Sequence, residues 1–178
     1  MNNVILRTAR TEMKFPLCFI TPQTVADAIG DEETIRFMDA VPTMDYTEET
    51  AKGFLDFLAY TSESDTELEL GIFDIETDRF IGMCTLENIN QEYGVCELGY
   101  WLNKNYVGKG YMTECVRAII QYAKHELHMK AINAFVIVEH NKSIALLERL
   151  GFTRKRLLEN DTENKGKNAD RYWYKLVL

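Results

Sequence analysis

The spacing of apolar and polar positions changes several times along the chain, and each change marks an element. Val4-Ile5-Leu6 is a short apolar run closed by Arg7-Thr8-Ala9-Arg10, which predicts a first strand. A less regular stretch follows, punctuated by Pro16, Pro22 and Pro42. Thr21-Pro22-Gln23 predicts a helix start, because Thr can cap and Pro suits the first turn, and this helix runs through Ala28. Thr47-Glu48-Glu49-Thr50 opens a second helix, with acids at its positive end and Phe54, Leu55, Leu58 and Ala59 at helical spacing. From Glu67 the period is two. Leu68, Leu70 and Ile72 alternate with Glu67, Glu69 and Gly71, the pattern of a half-buried strand. Glu76-Thr77-Asp78-Arg79 reads as a turn, Phe80 to Leu86 as the partner strand and Cys96 to Leu102 as a third strand of an antiparallel meander.

After Gly110 the period becomes helical again. Met112, Cys115, Val116, Ile119, Ile120, Ala123 and Leu127 form one apolar stripe and predict a helix of about 18 residues. Ala131 to Val138 is almost continuously apolar, as in a strand covered on both faces. Asn141 is placed to cap a further helix carrying Ile144, Leu147 and Leu150 and ended by Gly151. Two strands, near Phe152–Glu159 and Arg171–Leu178, flank a polar loop at Asn160–Asn168. No linker, repeat or low-complexity tract divides the 178 residues, so one domain is expected over 1–178.

Composition narrows the class. The chain is 46% hydrophobic and poor in Gly and Pro, which excludes disorder and fibrous repeats. No apolar run approaches the roughly 20 residues of a membrane span, and the N-terminus lacks the basic and apolar regions of a secretory signal. Cys18, Cys84, Cys96 and Cys115 form no CxxC pair and sit among apolar neighbours, which suggests buried free thiols and a cytoplasmic location. His125-Glu126-Leu127-His128 lacks the spacing of a zinc motif, so no metal is expected. The net charge of −8 argues against nucleic acid as a partner and conceals a division. Residues 1–102 carry 6 Lys/Arg and 20 Asp/Glu (6 − 20 = −14), whereas residues 103–178 carry 14 and 8 (14 − 8 = +6).

Candidate chemistry gathers where Cys96–Leu102 runs through Gly108-Lys109-Gly110 into the striped helix. Two glycines before a helix let backbone N–H groups converge at its positive end, a ready anion site. The loop is not a Walker A motif, since Tyr111-Met112 follows Gly110, and Thr113 stands where a dinucleotide fingerprint needs its third glycine.

Glu97-Leu98-Gly99-Tyr100-Trp101-Leu102 followed by Gly108-Lys109-Gly110-Tyr111-Met112-Thr113-Glu114 resembles the acyl-CoA motif of the GNAT N-acetyltransferases, in particular their RimJ/RimL-like branch, which acetylates ribosomal-protein N-termini. Asn141-Lys142-Ser143-Ile144-Ala145-Leu146-Leu147-Glu148-Arg149-Leu150-Gly151-Phe152 resembles the family's second motif. The likeness is close over 66–178 and loose over 1–65. It implies an α+β fold, with a mixed, mostly antiparallel central sheet, helices on both faces and a splayed parallel strand pair forming the cofactor groove. It further implies acetyl transfer from acetyl-CoA to an amine, a protein N-terminus or a small molecule, by direct attack in a ternary complex. Residues 66–178 would be the acetyl-CoA core and 1–65 the acceptor side. The pyrophosphate would lie on the amides of Val107, Gly108, Lys109, Gly110, Tyr111 and Met112, the pantetheine along Trp101 and Leu102, and the thioester end near Asn141 and Ser143. Dimers are common in this branch.

Two departures stand out. Asn105 occupies a place where the family often has Gln or Arg, and Leu147 the place of a Tyr that protonates the departing thiolate; Ser143 inherits that role. The missing Tyr also leaves open a non-catalytic acyl-CoA-binding or sensing domain. An amine acceptor needs a base, because amines are protonated at pH 7, and Glu97 beside the cofactor strand is the first candidate, ahead of Glu87 and Glu139. The positive half holds both cofactor motifs and the negative half the acceptor side, which predicts a cationic acceptor.

Overall fold

A computed structural model describes residues 3–38 and 47–178; Pro42 lies outside them. The described strands β1 (Ile5–Arg7), β2 (Thr11–Lys14), β3 (Leu68–Asp74), β4 (Phe80–Asn90), β5 (Val95–Leu102), β6 (Ala131–Ile137), β7 (Thr153–Asn164) and β8 (Lys167–Val177) form one sheet. Its order is β1-β2-β3-β4-β5-β6-β8-β7, antiparallel except for the β5–β6 pair. Helices α4 (Tyr111–His125) and α5 (Asn141–Arg149) pack on one face over Leu70, Ile72, Leu86 and Ile132. On the other face, α1 (Pro22–Ile29), the short α2 (Glu32–Ile35) and α3 (Glu48–Thr61) cover Phe73, Phe80 and Met83.

The helix starts follow the expected chemistry. Thr21 accepts from Thr24 N at 3.2 Å with Pro22 in the first turn, and Thr47 and Thr50 cap each other reciprocally. The α4 stripe from Met112 to Ala123 is buried, each large member contributing about 1.5–3 kcal/mol of transfer free energy. That helix has 15 residues and stops short of Leu127. His128 takes a positive φ of 56°, and the amides of Leu127 and Met129 fold back onto the carbonyls of Tyr122 and Ala123, closing the last turn early.

Other expectations change for physical reasons. β2 is an additional strand whose alternation is too short to stand out. Ala59 is exposed, because α3 turns Ala51, Leu58 and Thr61 inward instead. The polar stretch at 160–168 is not a loop: β7 and β8 continue as a long ribbon to a tight turn in which Lys165 and Gly166 take positive φ. Asn141 is the first residue of α5, which starts after His140 and has no side-chain cap. Cys18 is exposed, whereas Cys84, Cys96 and Cys115 are buried thiols. Every residue of β3 is buried, including Glu69 and Gly71, since α1 and α3 cover the face that alternation assigned to solvent.

Candidate active site

β5 and β6 share ladder hydrogen bonds only from Val95↔Ala131 to Glu97↔Asn133. Beyond that point β5 stays with β4 as far as Gly82↔Leu102, and β6 stays with β8 as far as Ile137↔Arg171. The two strands therefore part, leaving the facing backbone edge of Leu98–Leu102 available to a ligand that can pair like a strand. The cleft that opens there measures about 1860 Å³ and reaches from Gly108 and Gly110 past Tyr100 and Ser143 to Glu97 and Glu69. The Trp101 ring packs edge-on against Phe80 at 5.6 Å, and Trp101 and Leu102 both line the cleft.

At one end lies the glycine loop. Gly108 and Gly110 have φ of 78° and 86°, where a side chain is strained. No side chain caps α4, and its first intrahelical bond is Glu114 N to Gly110 O at 3.2 Å. The N–H groups of Tyr111, Met112 and Thr113 are left for another acceptor. A Cβ at Gly108 would meet nothing within 4 Å, so this side of the loop is open; at Gly110 it would lie 3.3 Å from Arg10 Nη2. An open cradle of amides at a positive helix end fits a diphosphate. Behind it, Arg10 donates to Glu114 Oε1 at 2.6 and 3.0 Å and stacks over the Tyr111 ring at 4.1 Å. The Tyr111 hydroxyl donates to Asp74 at 3.0 Å, which fixes the first turn of α4. Met112 is buried beneath it, Val107 follows the single 3-10 turn Lys104–Tyr106, and Lys109 projects over the Tyr106 ring at 5.9 Å.

Across the splay, α5 brings in Ser143, which is buried and lies 2.7 Å from the Tyr100 hydroxyl. Burial raises the Tyr100 phenol well above its ordinary range despite that bond, so it keeps its proton. Asn141, at the exposed start of the helix, lines the same cleft. Leu147 is buried in the core where it borders the cleft, and it has no proton to give. His140 stacks on Phe37 at 4.2 Å; burial, then Lys142 and Arg36, push it down to about 4, and it is neutral at pH 7.

The opposite face of the same strands is acidic. Glu97 pairs across the ladder with Glu87, whose Oε1 accepts the Thr85 hydroxyl at 2.7 Å. Gly99 stands between them without a side chain because a Cβ there would collide with Thr85 and Glu87. Burial, and then Glu87, raise the Glu97 carboxyl above its usual range, against a hydrogen bond from Asn88 and the charge of Arg171. Glu139 is exposed at the end of β6. Sequence reasoning missed Tyr100 and Glu69 as site residues. The signal for Tyr100 was present, since alternation on β5 puts it on the face opposite Glu97, toward α5.

The model of the acetyltransferase (GNAT) domain family matches residues 20–153. The chain is 33% identical over 148 residues to an uncharacterized N-acetyltransferase, p20, of Bacillus licheniformis, covering 83% of this chain and 82% of that one. It is also 33% identical over 85 residues to the [ribosomal protein uS5]-alanine N-acetyltransferase of Escherichia coli, covering 47% and 44%. The crystal structure of the microcin C7 self-immunity acetyltransferase MccE, in complex with acetyl-CoA and AMP, superposes with a TM-score of 0.84 at 21% identity, over 96% and 94% of the two chains. No helix among the described residues is long and apolar enough to cross a membrane, and none of their His, Cys, Asp and Glu side chains cluster to hold a metal ion. The strand splay and the open amide cradle thus belong to a member of the GNAT acetyltransferase family, an acetyl-CoA-dependent enzyme that transfers an acetyl group to an amine.

Proposed function

We propose that the acceptor is a cationic amine, received on the acidic face of β3–β5, and that residues 1–65 form its wall while 66–178 hold the cofactor. The observation that carries this reading is the convergence of Glu67, Glu69, Glu87 and Glu97 on one face of three adjacent strands, along a single cleft that leads to the amide cradle. A protein N-terminus, the acceptor named for the Escherichia coli relative, and a small polyamine both satisfy it.

The pyrophosphate rests on the amides of Val107 to Met112, with Lys109 adding charge, and the pantetheine pairs with the free edge of β5 up to Trp101 and Leu102 and passes Asn141. When bound, acetyl-CoA supplies an acyl group activated as a thioester. Glu97 takes the proton of the incoming ammonium, directly or through a water. Its raised carboxyl is better matched to that task than an ordinary glutamate. Tyr100 stays protonated and donates a hydrogen bond to Ser143 Oγ, which aims the Ser143 hydroxyl at the departing thiolate; the proton that Ser143 gives up is replaced from solvent. The reaction takes place in the cytoplasm. A screen of amine classes, read as free CoA released while ionic strength is raised, tests the acceptor. Activity toward cationic amines should fall with salt as the acidic face is screened. Turnover indifferent to salt, or a preference for acidic acceptors, would refute it.

A further inference from the structure

Glu69 belongs to that acidic face but takes no part in the proton transfers, and its situation is unusual. It is 7% exposed and borders the cleft, to which its oxygens keep a small opening, and no described residue makes a hydrogen bond or ion pair to its carboxyl. Its cross-strand neighbour Thr85 spends its hydroxyl on Glu87 instead. The charged groups that act on it are Glu87, on β4, and Glu67, just before β3, both of the same sign. The α3 side of the cleft offers the rings of Phe54, Phe57 and Tyr60 and the acid Glu63, and none of the cations that line the cleft, Arg36, Lys104, Lys142, Arg149 and Arg171, acts on the Glu69 carboxyl. A largely buried carboxyl with acidic neighbours and no donor among the described residues costs free energy in the empty protein. That cost is offset when a cation enters.

We infer that Glu69 is the recognition point for a second cationic group on the acceptor, so that the substrate is an amine carrying an additional ammonium or guanidinium about 10 Å from β5. The distance follows from the ladder: Glu69 pairs with Thr85, and Thr85 with Gly99, which places Glu69 two strand spacings of about 4.8 Å from β5. The aromatic side chains of α3 would cover the carbon chain between the two charges. Burial and the two neighbouring acids hold the empty carboxyl at about 8, so an arriving cation would ionise it and release a proton. This inference rests on the cationic-acceptor reading above and adds the second charge and the residue that reads it.

The test compares spermidine and a tripeptide amide with lysine third against butylamine and the same tripeptide with norleucine, for the wild type and Glu69→Gln. The two pairs separate a polyamine from a peptide source. The wild type should favour whichever dication is the acceptor, and the variant should raise its KM about tenfold or more, the loss of one charged hydrogen bond. KM for the monocations should change far less than KM for the dication, and KM for acetyl-CoA should stay unchanged. An unaltered preference in the variant overturns the inference. So does an equal fall in kcat for every amine, which would put Glu69 on the reacting nitrogen. Calorimetric titration of spermidine and of the lysine tripeptide without acetyl-CoA is independent of turnover. Binding that weakens in Glu69→Gln supports the second-cation point even if neither compound is acetylated, an outcome that would refute the acceptor reading alone. Absence of binding of both to the wild type overturns it.

Discussion

Glu69→Gln should make the protein more stable at alkaline pH, and the magnitude can be worked from the structure. Burial first, then Glu87 and Glu67, raise the Glu69 carboxyl from 4.5 to about 8. The folded protein therefore binds more protons than the unfolded chain between those two values, and stability falls as pH rises through the window. Below 4.5 the group is protonated in both states and costs nothing; above 8 the full penalty is present. At about 1.4 kcal/mol per pH unit, the wild type loses roughly 3–4 kcal/mol between pH 5 and pH 8 through this residue alone. Glutamine does not titrate, so the variant escapes that loss. Its buried amide lacks a partner and carries its own cost of about 1–3 kcal/mol, but this offset is the same at both pH values. The quantity to measure is the difference in unfolding free energy between variant and wild type, by urea denaturation at pH 5 and pH 8. It should change by roughly 3–4 kcal/mol in the variant's favour on going to pH 8. A change under about 1 kcal/mol would refute the reasoning, because an ionised, solvated Glu69 contributes no such slope. Gained stability with lost acceptor recognition is the trade expected where binding relies on a strained group.

The remaining predictions concern the groove and its chemistry. Gly110→Arg should abolish acetyl-CoA binding in calorimetry, because the new side chain crowds Arg10 and forces the loop out of the positive-φ turn that aims its amides. It should also cost about 1–2 kcal/mol of stability, because the residue at this position has φ of 86°. Ser143→Ala should lower kcat by about 10²-fold or more with KM for acetyl-CoA little changed. Tyr100→Phe should lower kcat by about tenfold, the loss of one hydrogen bond that orients the Ser143 hydroxyl. Glu97→Gln should remove the acidic limb of the kcat/KM profile, a limb that in the wild type lies above the ordinary glutamate range because the carboxyl is raised. An unchanged limb would move the base to Glu87.

How much could be read from the chain varies with how local the cause is. The α4 stripe, the caps at Thr21 and Thr47 and the positive-φ glycines at 108, 110 and 151 are set by residues within a turn of one another, and they occur as the pattern requires. The strand, glycine loop and helix were likewise legible, because their spacing is itself the phosphate-binding device. The β7–β8 ribbon was not, since its polar residues are held by cross-strand pairing rather than by burial. The end of α4 was missed for a similar reason: Leu127 continues the apolar period but lies in a loop that folds back onto Tyr122 and Ala123.

The active site divides along the same line. Sequence by itself determined the family, the amide cradle and the uneven charge of the two halves, because backbone conformation and composition are properties of the chain. Only the tertiary structure decided what each charge faces. Alternation assigned Glu69 to the polar face of a half-buried strand, and the packing of α1 and α3 over β3 turned it into a largely buried carboxyl without a donor among the described residues. Tyr100 and Ser143, 43 residues apart, became a hydrogen-bonded pair only where β5 and β6 part and α5 crosses the opening. Burial and pairing between distant strands set proton affinities, and no spacing along one strand can specify them.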